Sequence, residues 1–118
     1  MNTLIELITA LKSAPQNLPV YFQTGEHPDM VDSWRGSYDL LALNHTLEGS
    51  ALRCSELIDL LDGAIGSTFR GYKGGEYTMH EDTPIWVDNY GEYTEQAIHD
   101  VLVEEFRVVL VRGYKSYT

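Results

Sequence analysis

The sequence predicts an α+β fold, two helices packed on an antiparallel or mixed β-sheet, in a single compact domain covering residues 1–118. Three observations predict it. A chain of 118 residues falls in the commonest domain size of about 100 to 150 and is too short for two independent cores. Two segments place apolar residues at helical spacing between start and stop signals. Several short apolar runs lie between glycine, proline and asparagine turns, as strands do.

Taken in order, Thr3 followed by Glu6 makes a capping box at a helix start. Leu4, Leu7, Ile8 and Leu11 then share one face, and Pro15 ends the run. Leu18 to Phe22 reads as a short strand, with Thr24-Gly25-Glu26-His27-Pro28 as turn chemistry behind it. Tyr38 to Leu43 is a second strand, although its continuous run Leu40-Leu41-Ala42-Leu43 fits no single face. Glu56 to Ile65 is the second helix, acidic at its start through Glu56 and Asp59 and terminated by Gly66. Cys54 precedes it and reads as a small structural residue. Ser67 to Gly75 reads as a loop, followed by strands near Glu76 to Met79 and Ile85 to Asp88. Ala97 to Val103 and Phe106 to Arg112 suggest a β-hairpin around Glu104-Glu105, with a helix over 94–105 as the competitor for its first half.

Eight basic against 18 acidic side chains give a formal net charge of -10. That balance repels nucleic-acid phosphates, so no direct nucleic-acid partner is expected. It is either a solubility device or a surface that imitates a nucleic acid and enters a partner's basic cleft. The single cysteine forms no internal disulfide and fits a reducing cytoplasm. The N-terminal stretch lacks a basic flank and is broken by Glu6 and Lys12, so neither a signal peptide nor a membrane partner is expected.

The scarce cations are unevenly placed. Five of the eight fall in three glycine-linked segments: Trp34-Arg35-Gly36-Ser37-Tyr38, Phe69-Arg70-Gly71-Tyr72-Lys73-Gly74-Gly75 and Val111-Arg112-Gly113-Tyr114-Lys115. Arginine's planar fork pairs with phosphate or carboxylate, glycine lets backbone N–H groups approach an anion, and an aromatic ring offers a stacking face. The plain alternative is that each Arg-Gly marks a turn whose arginine pairs with a nearby carboxylate. No segment has the order of a Walker motif.

Trp86, between Pro84 and Asp88, is expected in the core. Asn89-Tyr90-Gly91 reads as the turn leaving that strand, with Asn89 suited to the left-handed conformation and Tyr90 near the surface. Tyr90 and Tyr72 would sandwich an aromatic ligand if they faced one cleft. The candidate ligand-binding residues are therefore Trp34, Arg35, Tyr38, Arg70, Tyr72, Lys73, Trp86, Asn89 and Tyr90. His27, His45, His80 and His99 are scattered without metal-ligand spacing, and His80-Glu81-Asp82 in an extended segment assembles no acid-base pair. Neither a catalytic site, a cofactor nor a metal is expected.

Ser33-Trp34-Arg35-Gly36-Ser37-Tyr38 with Leu40 to Leu43, then Gly66 to Tyr77, Asp82 to Val87 and Asn89-Tyr90-Gly91 resemble a group of small proteins of unassigned function encoded by tailed bacteriophages. The resemblance implies a phage accessory protein acting in the host cytoplasm, one that counteracts a host function, such as defence, by binding and not by catalysis. Two targets follow. One is a small anionic or nucleotide-like signalling ligand held by the Arg-Gly segments, enclosed between copies of a homo-oligomer. The other is a host nuclease or defence complex whose basic cleft accepts acidic positions such as Glu92, Glu95, Asp100, Glu104 and Glu105.

Overall fold

The computed structural model describes residues 3–34, 37–70, 75–88, 90 and 96–114, with the backbone alone at 34 and 37–39. Helix α1 covers Leu4–Lys12 and α2 covers Cys54–Ala64. Eight strands follow the order β1 (Val20–Phe22), β2 (His27–Trp34), β3 (Ser37–Thr46), β4 (Thr68–Arg70), β5 (Glu76–Thr78), β6 (Ile85–Val87), β7 (Gln96–Val103) and β8 (Val108–Tyr114). Six of them form one mixed sheet in the order β1-β8-β7-β6-β3-β2, and β4-β5 is a separate two-stranded ribbon. The edge strands β1 and β2 also touch, joined by the Phe22 N–H donating to the Glu26 carbonyl at 2.8 Å, so the sheet is nearly closed on itself.

Both helices form where the sequence signals them. Thr3 caps α1 by accepting the Glu6 N–H. The Glu6 carboxylate, however, takes the Thr3 hydroxyl at 2.9 Å, which departs from the expected reciprocal box. At α2 the Arg53 N–H donates to Glu56 Oε1 at 3.0 Å. Gly66, at φ +80°, lets the chain leave α2 in the left-handed conformation that glycine adopts without strain. Leu4, Leu7, Ile8 and Leu11 of α1 and Leu57, Ile58 and Leu61 of α2 meet one face of the sheet, given by Val20, Phe22, Leu41, Leu43, Ile85, Val87, Ile98, Val108 and Leu110. This is one continuous core. Cys54, fully buried, ties the helices together: its thiol donates to the Leu11 carbonyl at 3.2 Å, and desolvation pushes its pKa up, away from the reactive range.

The structure corrects three expectations. His27–Trp34 is a strand, not a turn ending at Pro28; it lies at a sheet edge and its register slips between Pro28 and Met30, where a proline costs no ladder bond. Thr68–Arg70 is a strand inside the segment read as loop, held because Phe69 and its partner Tyr77 pack on the core. The expected hairpin forms: residues 96–103 are its first strand, paired with β8 from Gln96↔Tyr114 to Val103↔Val108, and the competing helix over 94–105 does not form at 96–103. Trp86 lies outside the core cluster: Ile85 and Val87 point into it, and alternation turns the half-buried indole to the opposite face, beside Ala42. The same alternation resolves the run at Leu41-Ala42-Leu43, which is buried on both faces.

Strand directions define two rims. β1 runs parallel to β8 and β3 parallel to β6, while β7 is antiparallel to both β6 and β8. β1, β3, β6 and β8 therefore all start at one rim and end at the other.

Candidate functional site

The three Arg-Gly segments do not share one rim. Trp34 pairs with Ser37 at the start of β3, whereas Arg112 lies near the end of β8. β3 has ten residues, which at about 3.3 Å each separates its two ends by roughly 30 Å. The β4-β5 ribbon is rooted at the starting rim. Its base is bonded through Gly66, Ser67 and Met79, and the following segment places the Pro84 carbonyl 2.9 Å from the Leu41 N–H. From there β4 touches β2 and β5 touches β3. The fold thus brings strands of the β2-β3 and β4-β5 hairpins into contact and sends Arg112 to the far rim.

Arg70 is exposed at the end of β4, opposite Glu76. Trp34 and Tyr38 flank the β2-β3 connection. Arg35, Tyr72, Lys73 and Asn89 lie outside the described residues, as do Glu92 and Glu95. Tyr90 sits at the ending rim, away from the ribbon root, and is 56% exposed. Tyr90 adopts a positive φ, +52°. Its hydroxyl donates to the His45 carbonyl and accepts the His45 N–H at 2.8 Å, so the side chain acts as one more strand partner for β3. Asp88 Oδ1 accepts the Tyr90 N–H at 2.8 Å, holding the turn. Burial pushes the phenol pKa up, against the His45 N–H, with Asp29 and Asp88 adding to the rise.

Around Tyr90 the ending rim carries a polar network. Val108 and Leu110 face the core, and alternation turns Arg112 to the same side. There its Nε donates to the Gln96 side-chain carbonyl. Nη1 lies 3.7 Å from Glu26 Oε2, and the guanidinium sits 5.2 Å above the centre of the Phe22 ring. Gln23 acts as a side-chain extension of β1, donating to the Arg112 carbonyl at 2.6 Å and accepting the Arg112 N–H at 2.9 Å. Thr24 donates to Glu26, and that hydroxyl first, then the backbone and Arg112, hold the Glu26 carboxyl below its usual value against the opposing effect of burial.

His45 completes the network. Its Nε2 lies 3.1 Å from the Asp88 carbonyl oxygen and 3.3 Å from Arg112 Nη1. The carbonyl requires an N–H and the guanidinium a lone pair, so this one nitrogen serves one partner at a time. Arg112 is therefore a structural cation, not an anion-gripping one. Gly113 also serves packing: a Cβ there would come within 3.2 Å of the His99 ring.

Sequence reasoning missed this network because its members lie up to 89 positions apart. One signal was present. With 106–112 read as strand, Arg112 falls in phase with the apolar pair Val108 and Leu110. A second polar feature stands on the edge strands: His27 is buried at 4% exposure, edge-on to Tyr21 with ring centres 5.9 Å apart, and neither ring nitrogen has a hydrogen-bond partner among the described residues.

The remaining chemistry is sparse. His80, Glu81 and Asp82 form a turn, not an extended segment, pinned by the His80 N–H donating to Thr83 Oγ1 at 2.7 Å. Among the described residues no group of three His, Cys, Asp or Glu side chains is arranged to hold a metal. No described helix is long and apolar enough to cross a membrane. The solvent side of α2 exposes Glu56, Asp59 and Asp62, with no basic residue in its last turn, and Glu81 and Asp82 are exposed near its end.

Comparisons with protein-family models, with curated proteins and with solved structures returned no match to this chain.

Proposed function

We propose that this chain is a non-catalytic binding protein that counteracts a host function, in the phage setting its sequence resembles, by presenting an acidic surface to the basic cleft of a host nuclease or defence complex. The supporting observation is the exposed stripe Glu56, Asp59 and Asp62 on α2, unopposed by a cation in the helix's last turn and continued by Glu81 and Asp82. A rigid helix holds these charges at spacings of one turn, which is the regular array of negative charge that a phosphate-binding cleft accepts. Competition with DNA for purified host nucleases and DNA-binding defence complexes tests the reading. Displacement should weaken steeply with added salt, be lost in Glu56→Lys/Asp59→Lys/Asp62→Lys and persist in Arg70→Ala. Salt-insensitive displacement, or none at all, removes it.

A second reading is favoured by the contact between the β2-β3 and β4-β5 hairpins. A nucleotide-like anion held there would use Trp34, Arg35, Tyr38, Arg70, Tyr72 and Lys73, enclosed by a homo-oligomer. Arg112 takes no part, and Tyr90 leaves this group because it belongs to the other rim. Calorimetry against cyclic and linear nucleotides separates the readings: heat that disappears in Arg70→Ala supports the ligand, and no heat with any nucleotide discards it.

A further inference from the structure

The β7-β8 hairpin ends in a tight turn in which the Glu104 N–H donates to the Arg107 carbonyl at 2.9 Å, leaving Glu105 and Phe106 at the tip. Phe106 is 77% exposed, and Leu102 and Val103 beside it are 44% and 54% exposed. Phe106 lies in the turn itself, while Leu102 and Val103 alternate to opposite faces of β7, and none of the three belongs to the core cluster. Aromatic residues, phenylalanine among them, are enriched at the buried cores of protein interfaces, where a few anchors carry most of the binding energy.

The charge around the tip selects the kind of partner. Asp100, Glu104 and Glu105 are exposed. Arg107 is paired with Glu104, Nε to Oε1 at 2.7 Å, so the residues around the turn keep an acidic balance through Asp100 and Glu105. The exposed ring in the turn is placed to engage a partner by side-chain insertion. The tip lies on the same rim as the start of the acidic helix: Pro19 bridges Arg53 on one side, and its carbonyl accepts the Val108 N–H at 2.9 Å on the other.

We infer that Phe106 is the apolar anchor of a protein interface, inserting into an apolar pocket rimmed by basic side chains on the host protein that the acidic surface engages. This deepens the proposed protein-binding function and rests on it. A second copy of this chain is disfavoured as the occupant, since both copies would bring a net charge of -10 to the contact.

The test places a photoreactive benzoylphenylalanine at position 106, crosslinks in host cells, identifies the adduct by mass spectrometry and measures binding of the purified partner. Support requires that Phe106→Ser weaken that binding tenfold or more and Glu105→Lys weaken it several-fold. Leu47→Ser, at an equally exposed apolar position away from the hairpin, should leave it unchanged. Circular dichroism confirms that each variant is folded. Crosslinks only between copies of the chain, or to lipid, overturn the inference. So does partner binding that survives Phe106→Ser, and if that binding is still lost on charge reversal of α2, the acidic-surface reading stands without the anchor. No binding in either set of experiments removes both.

Discussion

Arg112 shows how the surroundings of one side chain decide its role. In a flexible loop its guanidinium would be an obvious grip for phosphate; in β8 it is 15% exposed and bonded to Gln96, close to Glu26 and His45, and stacked on Phe22. Arg112→Ala should cost about 2 kcal/mol in urea denaturation, the scale of hydrogen bonds to a charged group, because it leaves the half-buried Gln96 and Glu26 acceptors without their partner. Arg112→Lys should recover little, since an ammonium lacks the fork that spans Gln96 and Glu26. A change within about 0.5 kcal/mol, typical of surface sites, would show the network to be incidental. Glu26 gives a pH signature with a definite sign. Its folded pKa lies below the ordinary value of 4.5, so its stabilisation is present above that value and is lost as pH falls through the folded pKa. In stability measured against pH, Glu26→Gln should flatten this acid limb relative to the parent chain.

At the scale of elements, the β4-β5 ribbon has three residues per strand, and the packing of Phe69 and Tyr77 anchors it to the core. Phe69→Ala should release it locally. Hydrogen exchange should rise in 68–70 and 76–78 while the β7-β8 pair keeps its protection, and equal loss in both would contradict this division. The same contrast explains what could be read in the sequence. α1 and α2 were legible because caps, helical spacing and Gly66 all agree over nine and eleven residues. β2 was not, because a strand at the sheet edge with a register slip tolerates Pro28, Asp29 and Asp32, which argue against a strand locally. β4 was hidden for another reason: three residues next to glycines carry no period, and only the tertiary contact of Phe69 makes them a strand.

For the molecule as a whole, both helices and all six strands of the main sheet feed one core, with a radius of gyration of 13.5 Å, as expected for a compact chain of this length. Unfolding should be a single transition, and Cys54 is a built-in reporter of it. Lying at 0% exposure with its pKa raised, the thiol should react with an aromatic disulfide only at the rate of global opening, so that reactivity and the urea transition move together. Fast reaction in the absence of denaturant would refute the single core at the α1-α2 contact. The acid balance was legible in composition, but the site was legible only in part. Which cations meet depends on rims that are set by the parallel pairings β1-β8 and β3-β6, and these join residues with no local relationship.

The parallel pairing of β1 with β8 also sets how the molecule bears mechanical load. Tension applied between position 20 and position 114 drags these two strands past one another lengthwise, so the rungs from Val20↔Val108 to Phe22↔Leu110 share the force at once. The antiparallel neighbours β7 and β8, tugged apart from Gln96 and Tyr114, would instead unzip rung by rung. In an optical trap the first geometry should yield at distinctly higher force than the second.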